Sequence, residues 1–157
     1  MELISNHIAT PLGIALRLVS NGSAIVESDF VRGKPRARTR VSRDALLTEA
    51  SIQVAAYFRK RLDRFDLPLA LAGTPFQLAV WRLVSQLEVG ELISYGDIAR
   101  AIGHPLAHRG VAAAMGKSPL DLLIPAHRVI GADGRVKGSA AGSLRRRLLA
   151  FEGIRIR

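Results

Sequence analysis

Cysteine is absent from this chain of 157 residues. Its absence excludes disulfides, thiolate metal sites, iron–sulfur clusters and every thiol nucleophile. Aromatic residues are scarce, at 5%, which argues against a single-strand stacking platform built from several rings. Acidic residues are outnumbered, 13 against 23 Lys plus Arg, leaving a formal net charge of +10. Such an excess attracts polyanions. A duplex held through its phosphates fits better than a stacked single strand, with a plain solubility charge as the bland alternative. No apolar run approaches the ~20 residues needed to cross a bilayer. The start, Met1-Glu2-Leu3-Ile4-Ser5-Asn6-His7, lacks the basic and long apolar stretches of a signal peptide. A soluble cytoplasmic protein without a membrane partner is expected.

What is present supports a core: 48% of residues are hydrophobic, enough for one domain or two small units. Residues 1–30 alternate as strands through Ile8, Leu12, Ile14, Leu16 and Leu18, and Asn21-Gly22 signals a hairpin. The basic stretch Val31 to Arg43 reads as a loop. Leu47, Ala50, Val54, Phe58 and Leu62 then follow helical spacing with Ser42 as N-cap, and Phe65 to Leu71 returns as an edge segment. Thr74-Pro75 opens a second helix whose face is Phe76, Val80, Leu83 and Leu87, ended by Gly90. Ser94 with Asp97 opens a short helix stopped at Gly103, and Pro105 starts the next, Leu106 to Met115. These two are a candidate helix-turn-helix. Residues 122–130 read as a buried extended segment, Asp133-Gly134 as a turn, and Ser143 to Phe151 as a basic final helix.

The helix Ala107-His108-Arg109-Gly110-Val111-Ala112-Ala113-Ala114-Met115 is nearly free of bulk, with Arg109 its one long cation. It suits either close approach to another surface or tight packing inside the domain. His127, after the apolar run Leu122-Leu123-Ile124, is a base, a ligand or a satisfied core histidine. His7, His104, His108 and His127 lack metal-ligand spacing, so neither a metal nor a cofactor is expected.

The chain resembles the O6-alkylguanine-DNA alkyltransferases, and more closely their alkyltransferase-like relatives. The resemblance rests on Gly73-Thr74-Pro75-Phe76-Gln77, Val80-Trp81, Gly90, Ile93-Ser94-Tyr95-Gly96, Ala99, Gly103, Arg109, Val111 and Met115. It continues through Ile124-Pro125-Ala126-His127-Arg128-Val129, Leu148-Leu149 and Glu152-Gly153, in order across residues 73–153. Thr10-Pro11-Leu12-Gly13 and Phe65-Asp66-Leu67-Pro68-Leu69 suggest the family's N-terminal domain as well. The fold implied is an α/β N-terminal domain over residues 1–72, with RNase H-like strands plus a helix. A mostly helical DNA-binding domain with a helix-turn-helix follows over 73–157.

The family's suicide enzymes carry Pro-Cys-His-Arg-Val, whose cysteine accepts the alkyl group. Ala126 stands there in this chain, and a methyl side chain has no lone pair with which to attack carbon. Two further departures are Ser118, where the transferases usually have asparagine, and Gly138-Ser139-Ala140-Ala141-Gly142, a loop without the family's usual tyrosine.

By resemblance, the small-residue helix docks in the minor groove through Gly110, Ala112 and Ala113. Arg109 fills the hole left by an extruded nucleotide, Tyr95 presses the 3′ phosphate and helps rotate the base out, and Ser94 and Arg128 are further DNA-binding residues. The base pocket comprises Ala126, Pro125, Val129, Met115, Ser118 and Ser139. His127 and Glu152 match the pair that lowers the thiol pKa through a water, here a structural hydrogen-bonded pair. Lys117, Arg128, Arg135, Lys137 and Arg145-Arg146-Arg147 are phosphate contacts or ordinary solvated charges. The function implied is recognition of O6-alkylguanine in duplex DNA without alkyl transfer, by a monomer that flags the lesion to nucleotide excision repair proteins. A bacterial source would make it nucleoid-associated. The alternatives are an active transferase captured as a Cys-to-Ala mutant, and a helix-turn-helix regulator without lesion recognition.

Overall fold

The computed structural model describes residues 2–32, 44–136 and 140–155, with the backbone alone at 140–143. Two compact units emerge, Met1–Leu71 with Pro119–Leu123, and Ala72–Ser118 with Ile124–Arg157.

The first unit is built on an antiparallel meander of β1 (Ile4–Ala9), β2 (Ala15–Ser20) and β3 (Ile25–Val31), in that order. The hairpin expected at Asn21-Gly22 is present: the Asn21 side chain accepts from the N–H groups of Ser23 and Ala24, and Gly22 takes φ +92°. β2 is central and buried on both faces at Leu16, Leu18 and Val19. Its half-buried Arg17 is held by Glu27 and Asp29 of β3. Helix α1 (Ala45–Phe58) packs on the sheet through Leu47, Ala50, Val54 and Tyr57. Its N-cap is Asp44, whose side chain accepts from Leu47 N–H, in place of the expected Ser42. Ser42, with the loop around it, lies outside the described residues. Phe58 and Leu62, expected on the buried face, are only half-buried, and Tyr57 takes that place.

The outer edge of β3 is completed by two separate segments. Ile25 bonds to Pro68 and Ala70, so the return around Leu69 is an edge segment as expected. Farther along, Ser28 exchanges backbone hydrogen bonds with Pro119 and Asp121, its hydroxyl donates to the Asp121 carbonyl, and the Asp121 carboxylate accepts from Phe30 N–H.

The second unit contains α2 (Pro75–Ser85), α3 (Tyr95–Ala101), α4 (His108–Gly116) and α5 (Ala140–Phe151), with β4 (Ile93–Ser94) paired in parallel with β5 (Val129–Ile130). Thr74 and Gln77 form a reciprocal capping box on α2, with Pro75 in its first turn. The buried face of α2 is Val80, Trp81 and Val84, and the helix stops at Ser85 rather than at Gly90. The chain leaves it through tight bonds from Gln86 to Leu83 and Leu87 to Val84. α3 ends as expected at Gly103, whose φ of +82° lets His104 N–H reach back to the Ala99 carbonyl.

Three other boundaries differ from the sequence expectation. α4 begins at His108, because Pro105 and Leu106 form a turn closed by Ala107 N–H on His104 C=O. Residues 122–130 are largely buried as expected but extended only at β5: Leu122 has φ +68°, and residues 126–128 form a single 3-10 turn before that strand. α5 starts at Ala140, so residues 140–142 of the supposed loop are its first turn. No described helix is long and apolar enough to cross a membrane.

Candidate functional site

The second unit brings three of the singled-out residues into one buried charge cluster. The 3-10 turn at Ala126–Arg128 aims two consecutive side chains at the end of α5. His127 Nε2 lies 2.6 Å from Glu152 Oε2. Arg128 grips the same carboxylate with two donors, Nε at 2.9 Å and a terminal nitrogen at 3.0 Å, while its other terminal nitrogen donates to the Leu87 carbonyl at 2.7 Å. The His127, Arg128 and Glu152 side chains are 1%, 3% and 1% exposed. Gly153 makes the placement of Glu152 possible: at φ +87° it ends α5, and Ile154 N–H closes on the Leu149 carbonyl.

Burial is the dominant influence on His127 and holds its imidazole below the ordinary range, against the pull of the Glu152 carboxylate. The Arg128 cation pushes the same way as burial. A neutral ring therefore donates its Nε2 hydrogen to a carboxylate whose charge Arg128 already balances.

This geometry corrects one expectation. Arg128 is not placed to meet a phosphate, because its donors are committed and its side chain is sealed from solvent. The sequence reading missed Leu87, which supplies a backbone carbonyl and carries no local signal of that role.

Ala126 stands apart from its neighbours. Across residues 122–129 it alone is not buried, while Pro125, His127, Arg128 and Val129 are. Met115 is also buried, at 2% exposure. The Ser118 hydroxyl oxygen is buried and has no hydrogen-bond partner, one of two such side-chain atoms among the described residues. Ser139 and Lys137 lie outside the described residues.

α4 presents the contrasting surface. Val111, Ala114 and Met115 face inward, and the Trp81 indole N–H donates to the Ala114 carbonyl at 2.9 Å, satisfying a helix-end acceptor. Outward stand Arg109, Gly110, Ala113 and Lys117, all exposed, with Ala112 half-exposed. Gly110 has a second constraint, since an added Cβ would lie 3.3 Å from two atoms of the Phe76 ring. Ser94 caps α3 by accepting from Asp97 N–H, and Tyr95, the first residue of that helix, retains only 8% exposure. The β4–β5 ladder pairs Ile93 with Val129 and Ser94 with Ile130, tying the start of α3 to the strand that leaves the charge cluster.

The family described as "6-O-methylguanine DNA methyltransferase, DNA binding domain" matches residues 75–154. A methylated-DNA–protein-cysteine methyltransferase of Methanosarcina barkeri is 39% identical over 138 residues, covering 86% of this chain and 87% of its own. The crystal structure of Mycobacterium tuberculosis O6-methylguanine methyltransferase superposes with a TM-score of 0.82 at 36% identity, covering 96% of this chain and 93% of that one. The same organism's protein solved in complex with DNA gives a TM-score of 0.80 at 33% identity, covering 97% and 92%. Helix α2, the short helices α3 and α4, the Pro125–Val129 segment and Glu152 all fall within the matched stretch, and the chain belongs to the O6-methylguanine-DNA methyltransferase family.

Proposed function

We propose that this protein binds O6-alkylguanine in duplex DNA and transfers no alkyl group to itself. The observation that carries the reading is Ala126. It occupies the one position of the Pro125–Val129 segment that is not buried, where a nucleophile would have to meet an alkyl carbon, and it offers only a methyl group. Relatives named methylated-DNA–protein-cysteine methyltransferases, and a structural neighbour solved with DNA, support DNA as the partner.

In this reading α3 and α4 act as a helix-turn-helix. The outward face of α4 is small enough to approach a minor groove only ~6 Å wide. Arg109 is the long exposed side chain on that face and takes the space vacated by an extruded base. Tyr95, nearly buried, offers its remaining edge to a phosphate. The base comes to rest at Ala126, backed by Pro125, Val129 and Met115, with the Ser118 hydroxyl as an unused hydrogen-bonding group. The bound lesion is then handed to excision repair proteins.

The test is a pair of measurements on one labelled duplex carrying O6-methylguanine. Binding tighter than to plain duplex, with no label on the protein, supports the proposal. Equal affinity for both duplexes would identify a regulator without lesion recognition, and stoichiometric label would refute the reading outright.

A second reading, a transferase whose cysteine has been replaced, draws on the His127–Glu152 pair held at 2.6 Å. Ala126→Cys separates the two. Slow, partial transfer fits a natural lesion binder, and rapid complete single-turnover transfer fits a replaced cysteine.

A further inference from the structure

The first unit carries an exposed basic turn. After α1 the chain runs Arg59-Lys60-Arg61-Leu62-Asp63-Arg64, and all four cations are exposed. Lys60 has φ +60°, a left-handed conformation that favours glycine. It sits in the closure that ends the helix, with Lys60 N–H on the Tyr57 carbonyl and Arg61 N–H on the Ala56 carbonyl, both at 2.9 Å. The molecule supplies its own comparison. α3 and α5 end with the same pair of reverse bonds, and there the left-handed residue is glycine, Gly103 at φ +82° and Gly153 at φ +87°. At the end of α1 a lysine occupies the strained position instead.

The turn is also fixed at both ends. The Tyr57 ring packs edge-on to Phe58 and against Phe65, at centroid distances of 4.9 and 5.6 Å. The Gln53 amide brackets Asp66, accepting from its N–H and donating to its carbonyl, both at 2.9 Å. Cations displayed from a fixed turn lose less conformational entropy on meeting a ligand than cations on a loose loop. Favourable placement at a helix C-terminus accounts for positive charge there, but not for a non-glycine residue at the strained position.

We propose that residues 59–64 form a phosphate-contacting surface for the backbone of duplex DNA, on the unit that lacks α4. The charge sign, the exposure and the fixed spacing fit a regular polyanion. This surface reads no sequence and no lesion. It adds to affinity for any duplex, and it rests on the reading above that the protein binds duplex DNA.

The experiment measures Kd against salt for plain and O6-methylguanine duplexes of one length, using the full chain. Arg59→Gln/Arg61→Gln is expected to lower the slope of log K against log salt by about 2, one for each lost phosphate contact. Plain and lesion duplexes should weaken by the same factor, leaving their ratio unchanged. Lys60→Gly is the separating variant, since relief of the left-handed strain should raise Tm while duplex affinity falls. An unchanged slope in the folded double variant overturns the proposal. So does a Lys60→Gly protein with higher Tm and undiminished duplex affinity. Loss of binding to vesicles of anionic lipid, with DNA binding intact, would reassign the turn to a membrane and also overturn it. If the wild-type chain binds no duplex, the reading of the second unit fails along with this one; if the wild type binds and only the variants show no effect, this proposal fails alone.

Discussion

Two regions of the second unit handle charge in opposite ways. Around Glu152 an imidazole, a guanidinium and a carboxylate are sealed together, each at 3% exposure or less, and bonded to one another or to the Leu87 carbonyl. On α4 a single guanidinium, Arg109, stands exposed above glycine and alanine. The first arrangement is costly to disturb, because removing one partner leaves a buried charge uncompensated, and its sealed side chains offer no surface to a ligand. The second costs the fold almost nothing and is available to a partner.

The largest separation of the two regions should come from Glu152→Gln. It leaves Arg128 and His127 buried opposite a neutral amide, and a loss of about 3–5 kcal/mol is expected from denaturant unfolding. A loss below 1 kcal/mol would mean that the cluster relaxes or admits water.

Arg109→Ala should do the reverse. Its stability should stay within about 0.5 kcal/mol of the parent. Affinity for the lesion duplex should fall by about 1–3 kcal/mol in a titration at fixed salt. Undiminished lesion affinity would remove the intercalating role.

How far each region was legible follows from where its partners lie. Thr74-Pro75, Ser94 and Gly103 announced α2 and α3 because caps act within three or four residues of themselves. α4 was started too early because its N-cap, Ala107, makes no side-chain hydrogen bond. Arg128 was misread as a surface cation because its partners, Glu152 and Leu87, lie 24 and 41 residues away and leave no mark on the local pattern. The family resemblance supplied the pairing of His127 with Glu152, but it did not say that Arg128 shares the carboxylate.

A smaller effect comes from pH. His127 titrates below its ordinary value in the folded protein, so the unfolded chain binds the extra proton first as pH falls. Stability should therefore be level above about pH 7.5 and decline through and below pH ~6.5, by at most about 1.4 kcal/mol per unit. Urea midpoints at several pH values check this. A rise in stability on acidification would show that the attraction of Glu152 outweighs burial.

The smallest effect is expected from Gly110→Ala. Helix propensity favours alanine by about 1 kcal/mol, and the 3.3 Å approach to the Phe76 ring offsets it, so Tm should barely move. A clear gain in stability would show that Phe76 yields freely, leaving α4's own surface as the reason for a glycine there.

The order of synthesis meets the order of the sheet at β3. Part of that strand's outer edge is paired by Pro68 and Ala70, within 45 positions of Ile25, but Ser28 waits for Asp121, 93 positions later in the chain. At 5–20 residues per second a ribosome takes about 5–20 s to make that stretch. Throughout that interval the nascent strand carries open backbone donors and acceptors, the condition under which strands pair with the wrong neighbour. A gene cut after residue 71 would make the interval permanent, so the N-terminal piece expressed alone should be aggregation-prone until a peptide spanning residues 119–123 is supplied.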